Sequence, residues 1–75
     1  MARTKSTEIL AEMVANVLTI DCQVGDTVGA GDTVVLLESM KMENPVLAEQ
    51  DGTVKQIAVS AGQNVMQDDL LMVLG

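Results

Sequence analysis

Short runs of β-branched and aliphatic residues, separated by turns rich in glycine and aspartate, occupy most of the chain. Runs of this kind fall at residues 16–20, 33–37, 53–59 and 70–74. Each has the length and the residue types of a β-strand. The glycine-containing segments at residues 25–26, 29–32 and 62–63 are typical of turns. The pattern predicts strands joined by tight turns.

One segment, residues 6–17, also fits a helix, because Ser6 and Thr7 suit a helix N-terminus. Its Leu-Ala-Glu triplet at residues 10–12, however, occurs again at residues 47–49, shortly after Pro45. A proline favours extended backbone in its neighbourhood, so residues 47–49 are expected to be extended. Because residues 10–12 repeat them, the same conformation is expected there. We therefore interpret the whole chain as all-β.

The sequence repeats itself at an offset of 37 residues (46 − 9), which aligns residues 9–37 with residues 46–74. Nine of the 29 aligned pairs are identical: Leu10/Leu47, Ala11/Ala48, Glu12/Glu49, Val17/Val54, Ile20/Ile57, Gly25/Gly62, Val28/Val65, Asp32/Asp69 and Leu37/Leu74. Chance matching in a valine-rich chain is the alternative, but it seldom preserves glycines, acidic residues and apolar spacing together. The repeat predicts two short-stranded antiparallel sheets that face each other as a flattened barrel or sandwich with pseudo-twofold symmetry.

The chain has room for one domain, which we assign to residues 9–75, with residues 1–8 as an N-terminal lead-in. Its 75 residues include no His, Trp, Tyr or Phe, so a self-sufficient catalytic site is not expected. Four basic and eleven acidic residues give a net charge of −7, which disfavours nucleic acid and anionic membranes as partners. With neither a signal-peptide core nor a membrane-spanning apolar run, the expected location is the cytoplasm.

Cys22 is the only cysteine, and its partner in the repeat is Val59. We expect it to face the core as a small apolar residue. A reactive thiol is the alternative, but that requires a lowered pKa, and the neighbouring Asp21 has the opposite effect.

Five aspartates raise the question of a metal site: Asp26, Asp32, Asp51, Asp68 and Asp69. They are scattered over several turns, so solvated turn carboxylates are the favoured interpretation. Their collective charge is expected to keep the protein in solution and to steer it toward basic partner surfaces.

The junction of the two repeats, residues 38–45, is the unusual place in the chain. Its midpoint, (37 + 46)/2 = 41.5, falls between Lys41 and Met42, where a hairpin has to reverse. Tight hairpin turns prefer Asn, Asp or Gly, because one or both central residues take a positive φ. Met40, Lys41 and Met42 break that rule, and exposed methionines at a tip indicate a recognition surface. The alternative is an ordinary sheet edge with a solvated lysine.

The lysine at this tip is suited to being modified rather than to acting by itself. An ordinary lysine ammonium has a pKa of about 10.4, so at neutral pH it is a poor nucleophile unless another enzyme deprotonates it.

The run ESMKME at residues 38–43, followed by AEQDGTV at residues 48–54, closely resembles the biotinyl domain of biotin carboxyl carrier proteins. The first-half turn around residues 25–32 and the second-half positions Gly62, Val65 and Leu70 look like this family too. The resemblance covers nearly the whole chain and implies the flattened barrel-sandwich hybrid fold.

By this resemblance, Lys41 would carry covalent biotin as the cofactor. Met40 and Met42 would be recognised by the ligase, and Glu38 and Glu43 are further candidates for that contact. The chain would be a carrier, not an enzyme. Its implied partners are biotin protein ligase and the biotin carboxylase and carboxyltransferase subunits of a carboxylase, of the acyl-CoA type, with fatty acid biosynthesis as the expected pathway. In isolation it is expected to be a monomer.

Two other functions stay open at this point. Lipoyl carriers of dehydrogenase or glycine-cleavage complexes are similar in fold, but have Asp-Lys-Ala at the tip. A non-carrier interaction module would leave Lys41 unmodified. The chain also departs from the biotinyl pattern, since Val14 and Ala15 stand where Pro and Gly are common and Asp68 stands where a second glycine is usual.

Overall fold

The computed structural model describes residues 6–75 as eight β-strands, with no helix among them. The strands are β1 (Thr7–Leu10), β2 (Ala15–Ile20), β3 (Thr27–Val28), β4 (Thr33–Ser39), β5 (Met42–Leu47), β6 (Gly52–Ile57), β7 (Asn64–Val65) and β8 (Leu70–Leu74). The segment over residues 6–17 therefore contains β1 and the start of β2, with a bend at residues 12–14 between them, and no helix, as the repeat predicts. No helix long and apolar enough to cross a membrane occurs in this part of the chain.

The strands form two four-stranded sheets, in the orders β1-β8-β6-β3 and β5-β4-β2-β7, and every pairing is antiparallel. Adding 37 to the residue numbers of β2 and β3 gives the bounds of β6 and β7. The same offset relates β1 to β5 and β4 to β8. Exchanging each strand for its equivalent therefore converts one sheet order into the other. The all-β fold with pseudo-twofold symmetry is thus confirmed.

The equivalence extends to the pairing of single residues. Thr7 pairs with Leu74 in the first sheet, and Leu37 pairs with Asn44 in the second. A bulge between Ile9 and Leu10 has its counterpart in the β4–β5 pair. Because register decides which side chains face the core, this agreement means that both halves bury corresponding residues.

The core lies between the sheets and consists of aliphatic residues with one thiol. Its most deeply buried large side chains are Val17, Val34, Val35, Leu37, Val54, Val65, Leu71, Met72 and Leu74. Cys22 and its repeat partner Val59 are both buried, at 8% and 7% exposure. The prediction that Cys22 faces the core is confirmed.

The observed elements differ from the predicted ones in a few places. β1 begins at Thr7, inside the segment that we predicted as a lead-in; residues 1–5 of that segment lie outside the described residues. β6 ends at Ile57, two residues before the predicted end. The sequence analysis did not predict four of the strands. In the edge strands β1 and β5, polar residues interrupt the aliphatic pattern. The other two, β3 and β7, have two residues each, too few positions to show an alternating pattern.

Candidate functional site

A tight hairpin joins β4 to β5 at the junction of the two repeats. Ser39 pairs with Met42, which leaves Met40 and Lys41 as the two central residues of the turn. Their φ angles are 54° and 65°. Positive φ at both central residues is the pattern of a type I′ turn, whose twist matches that of the strands it joins.

The turn is centred between Met40 and Lys41, so the predicted midpoint between Lys41 and Met42 is wrong by one residue. The repeat boundaries gave only the limits of two similar segments. The actual reversal is fixed by the β4–β5 register, in which Leu37 faces Asn44 and Glu38 faces Glu43.

The left-handed backbone at Met40 and Lys41 is strained, because neither residue is a glycine. A left-handed conformation costs about 1 to 2 kcal/mol for an ordinary residue. The strain persists because β4 is anchored in the core through Val35 and Leu37, and these residues hold β5 in register. Strain of this kind is concentrated at functional sites, which supports the tip as the site.

The tip presents its side chains to solvent. Met40 is 92% exposed and Met42 is 66% exposed, and Lys41 between them is exposed as well. The Asn44 amide donates a hydrogen bond to the Met42 carbonyl oxygen at 3.2 Å, which fixes the start of β5. The arrangement offers an approaching enzyme a primary amine between two apolar side chains.

The two candidate carboxylates lie directly opposite each other. Glu38 on β4 is half-buried, and Glu43 on β5 is exposed. Like charges on a cross-strand pair are unfavourable, so this pair is not explained by stability of the hairpin. The structure brings Glu38, Met40, Lys41, Met42 and Glu43 together at one end of the molecule.

A surface groove beside the tip contains two residues that the sequence analysis did not single out. Val14 and Met66 line it together with Met40, and they are 66% and 65% exposed. The repeat carried the signal for them: the positions equivalent to Val14 and Met66 in the other half hold Asp51 and Gly29. The end of the molecule that carries Lys41 therefore has two exposed apolar residues, where the opposite end has a carboxylate and a glycine.

The turn aspartates have structural partners. Asp26, Asp32 and Asp69 each accept a hydrogen bond from the backbone N–H three residues earlier, at 2.8–2.9 Å. Asp51 accepts one from the Ala30 N–H at 2.8 Å. Within residues 6–75, no group of three or more His, Cys, Asp or Glu side chains is placed to hold a metal ion. Asp26, Asp32 and Asp69 thus close their own turns, as the sequence analysis favoured, and Asp51 joins its loop to the turn at residues 29–32.

The Cys22 thiol is not a reactive site. Its Sγ lies 3.9 Å from the Val34 carbonyl oxygen and 3.8 Å from Met72 Sδ. Burial raises the pKa of this thiol above its ordinary value, and the negative charges of Asp26 and Asp21 raise it further. A raised pKa leaves little thiolate at neutral pH, so Cys22 acts as part of the core.

Comparison with known proteins places this geometry in a family. The family model described as "Biotin-requiring enzyme", for biotin and lipoyl attachment domains, matches residues 5–74. The chain is 48% identical over 67 residues to a biotinylated protein TB7.3 homolog of Mycobacterium leprae, which covers 89% of the chain and 94% of that protein.

The chain is also 43% identical over 70 residues to the biotin-dependent acyl-coenzyme A carboxylase alpha3 subunit of Mycobacterium leprae. The match covers 93% of the chain but only 12% of that subunit. The chain thus spans nearly all of one relative and a small part of the other.

Two solved structures show the same fold. The urea carboxylase of Kluyveromyces lactis superposes with a TM-score of 0.89 at 31% identity, covering 100% of this chain and 7% of that one. The lipoyl domain of the 2-oxoglutarate dehydrogenase complex from Azotobacter vinelandii superposes with a TM-score of 0.79 at 28% identity, covering 91% and 94%. The two-sheet architecture is therefore shared with a small part of a carboxylase and with a lipoyl domain.

Proposed function

The chain belongs to the biotin/lipoyl attachment family, and on that premise we propose that it carries biotin covalently on Lys41 and shuttles a carboxyl group between two active sites of a carboxylase. The observation that carries this proposal is the hairpin tip. Lys41 is exposed, it occupies a strained two-residue turn, and it lies between two exposed methionines.

The residues at the tip fit covalent attachment of biotin. In the ligation, the neutral Lys41 amine attacks the carbonyl carbon of an activated biotin brought by biotin protein ligase. The amide C–N bond forms, the leaving group departs with the electron pair of the C–O bond, and the nitrogen gives up a proton. Met40 and Met42 supply apolar area to the ligase, and Glu38 and Glu43 supply charges that a basic ligase surface can pair with.

The protein contributes position rather than chemistry to the later steps. Attached biotin supplies the ureido nitrogen that accepts a carboxyl group at a biotin carboxylase and releases it at a carboxyltransferase. Bonds of about 1.5 Å in a zigzag place that nitrogen roughly 12 to 14 Å from the Lys41 Cα. Because the tether makes each encounter intramolecular, the carrier raises the effective concentration of the carboxyl group at both sites.

The acceptor that we propose is an acyl-CoA. This proposal is supported by the identity of 43% to a subunit whose name specifies acyl-coenzyme A carboxylase. Reconstitution of the biotin-loaded chain with biotin carboxylase and, in parallel, with an acyl-CoA or a keto-acid carboxyltransferase tests it. We expect carboxylated acyl-CoA with the wild-type chain and none with Lys41→Arg. Carboxylation of a keto acid alone would contradict the proposal.

Lipoate is the second candidate cofactor, because the superposition with a lipoyl domain covers nearly the whole of both chains. The two methionines that flank Lys41 favour biotin. Incubation of the unmodified protein with a lipoyl ligase and a biotin ligase in parallel separates the two. We expect faster attachment of biotin; faster attachment of lipoate would replace this proposal.

Intact mass measurement after expression with a biotin protein ligase tests the attachment itself. Lys41 and Lys55 are the two lysines within residues 6–75, so Lys55→Arg is a matched control for Lys41→Arg. We expect one biotinyl group on the wild type and on Lys55→Arg, and none on Lys41→Arg. An unmodified wild type, or a modified Lys41→Arg, would refute the proposal.

A further inference from the structure

The outer face of the β5-β4-β2-β7 sheet carries a row of three polar residues near the tip. Asn16 pairs with Glu38 on one side and with Asn64 on the other, so these residues cross β4, β2 and β7 in a straight line. Asn16 and Asn64 are exposed, and Glu38 is half-buried. Directly paired residues project to the same face of a sheet, so the row offers amide donors and acceptors side by side.

A second row, two residues closer to the tip, is apolar. Met40 follows Glu38 by two residues, Val14 precedes Asn16 by two, and Met66 follows Asn64 by two. Both rows line one groove of about 350 Å³. This volume lies within the range of about 300 to 1,000 Å³ that small-molecule sites occupy.

The fold itself does not require the apolar row. At the opposite end of the molecule, the positions equivalent to Val14 and Met66 hold Asp51 and Gly29, in a half with the same strands and the same register. Exposed apolar side chains clustered around a groove indicate a ligand. Because the cluster is confined to the end with the attachment lysine, we expect the ligand to be the group that is attached to that lysine.

We propose that this groove, formed by the apolar row Met40, Val14 and Met66 and the polar row Glu38, Asn16 and Asn64, is the resting site of the biotinyl group attached to Lys41. The inference rests on the proposed function, because it needs a biotinyl group at that residue. It adds a place on the carrier where the ring is held between visits to the two active sites.

The chemistry of the groove matches that of the ring. The sulfur-containing ring and the aliphatic arm are apolar and pack on thioether and methyl groups. The ureido group has two N–H donors and one carbonyl acceptor, and each Asn side chain offers an amide oxygen and an amide N–H₂ to it. One ring therefore satisfies both rows at once.

The reach of the arm is sufficient. Neighbouring strands are about 4.8 Å apart, so Asn64 lies roughly 10 Å from Glu38 across the sheet. Met66 is level with Met40 in the apolar row, and Met40 is adjacent to Lys41, so Met66 lies a similar distance of roughly 10 Å across the sheet from the tip. The arm extends roughly 12 to 14 Å from the Lys41 Cα, which covers this distance. A ring that folds back over β4 and β2 can contact Val14 and Met66 without distorting the hairpin.

The test is methyl-resolved NMR of the biotin-loaded protein, with the unmodified protein and Lys41→Gln as references. Lys41→Gln removes the lysine charge without adding a ring. We expect nuclear Overhauser contacts between ring protons and the methyl groups of Val14 and Met66, together with shifts of these methyls that Lys41→Gln does not reproduce. Shifts limited to Met40 and Met42, with no ring contacts, would overturn the inference.

A matched set of variants extends the test. Val14→Asp copies the residue of the other half, and Met66→Gln keeps the length of the side chain. Val24→Asp is the control, since Val24 is 62% exposed but lies outside the groove. We expect the ring contacts to be lost in the Val14→Asp/Met66→Gln double variant and kept in Val24→Asp. Contacts that survive in the double variant would refute this site.

The same samples separate this inference from the proposed function. Intact mass shows whether Lys41 carries biotin before any spectrum is interpreted. A biotin-loaded protein without ring contacts contradicts the resting site alone, whereas a protein that no ligase loads contradicts both.

Discussion

Gly31 and Asp68 occupy the same position in the two repeats, and both have a positive φ, 93° and 74°. The backbone N–H of each donates to the equivalent alanine carbonyl, Gly31 to Ala48 at 2.8 Å and Asp68 to Ala11 at 2.7 Å. The turn geometry is thus the same in both halves, although only one half has the residue that adopts it without strain.

This relationship predicts that Asp68→Gly is more stable than Asp68→Ala by about 1 kcal/mol, since alanine has the cost of a left-handed backbone and glycine does not. Both variants remove the same charge, so their difference isolates the backbone. Urea denaturation of the two variants measures it. Equal midpoints would show that the turn relaxes when the side chain is changed.

The strain at the hairpin tip gives a second prediction. Replacing Met40 and Lys41 by Asn and Gly, the preferred residues of a type I′ turn, should raise the free energy of unfolding by about 1 to 2 kcal/mol. A change of 1 kcal/mol shifts the melting temperature of a domain this size by about 4 to 8 °C. Thermal unfolding of this double variant checks the expectation, and an unchanged or lower melting temperature would mean that the tip is not strained.

The methionines at the tip should govern how fast the ligase acts. Burying a methionine side chain in a contact contributes about 1.5 to 3 kcal/mol, and 1.4 kcal/mol corresponds to a factor of ten. Met40→Ala is therefore expected to lower kcat/KM for biotinylation about tenfold, with Val24→Ala as an exposed apolar control. Initial rates with purified ligase measure the effect. A rate equal to that of the control would exclude Met40 from recognition.

The thiol in the core predicts a loss of stability at alkaline pH. Because burial and two carboxylates raise the pKa of Cys22 above its ordinary value of 9.0, the unfolded thiol ionises before the folded one. Unfolding then releases a proton, so this contribution to stability is complete below pH 9 and decreases as the pH rises toward the folded pKa.

Cys22→Val, which copies Val59 of the other repeat, should remove this contribution. Measuring the urea midpoints of both proteins between pH 7 and pH 11, about two units on either side of the ordinary thiol pKa of 9.0, tests this expectation. Parallel curves for the wild type and the variant would contradict the assignment.

The sequence predicted most of the fold because the two repeats constrain each other. The equivalence of Val17 with Val54 and of Leu37 with Leu74 correctly indicated two like sheets with buried aliphatic strands. It could not give the centre of the hairpin, because that depends on the cross-strand register of Ser39 and Met42 rather than on the limits of the repeat.

The candidate site was only partly predictable. Lys41 stands out from the sequence because a turn of Met and Lys violates local preferences. The groove beside it does not, since Val14 and Met66 are 52 positions apart (66 − 14) and are brought together only by the pairing of β2 with β7. Their departure from the repeat is a signal that gains meaning once that pairing is known.

The most direct measurement is fragmentation mass spectrometry of the peptide that contains residues 38–43, taken from protein expressed with a biotin protein ligase. We expect a single biotinyl group in this peptide, located on Lys41. Biotin on any other residue, or a peptide that remains unmodified while the ligase loads a known carrier in the same culture, would contradict it.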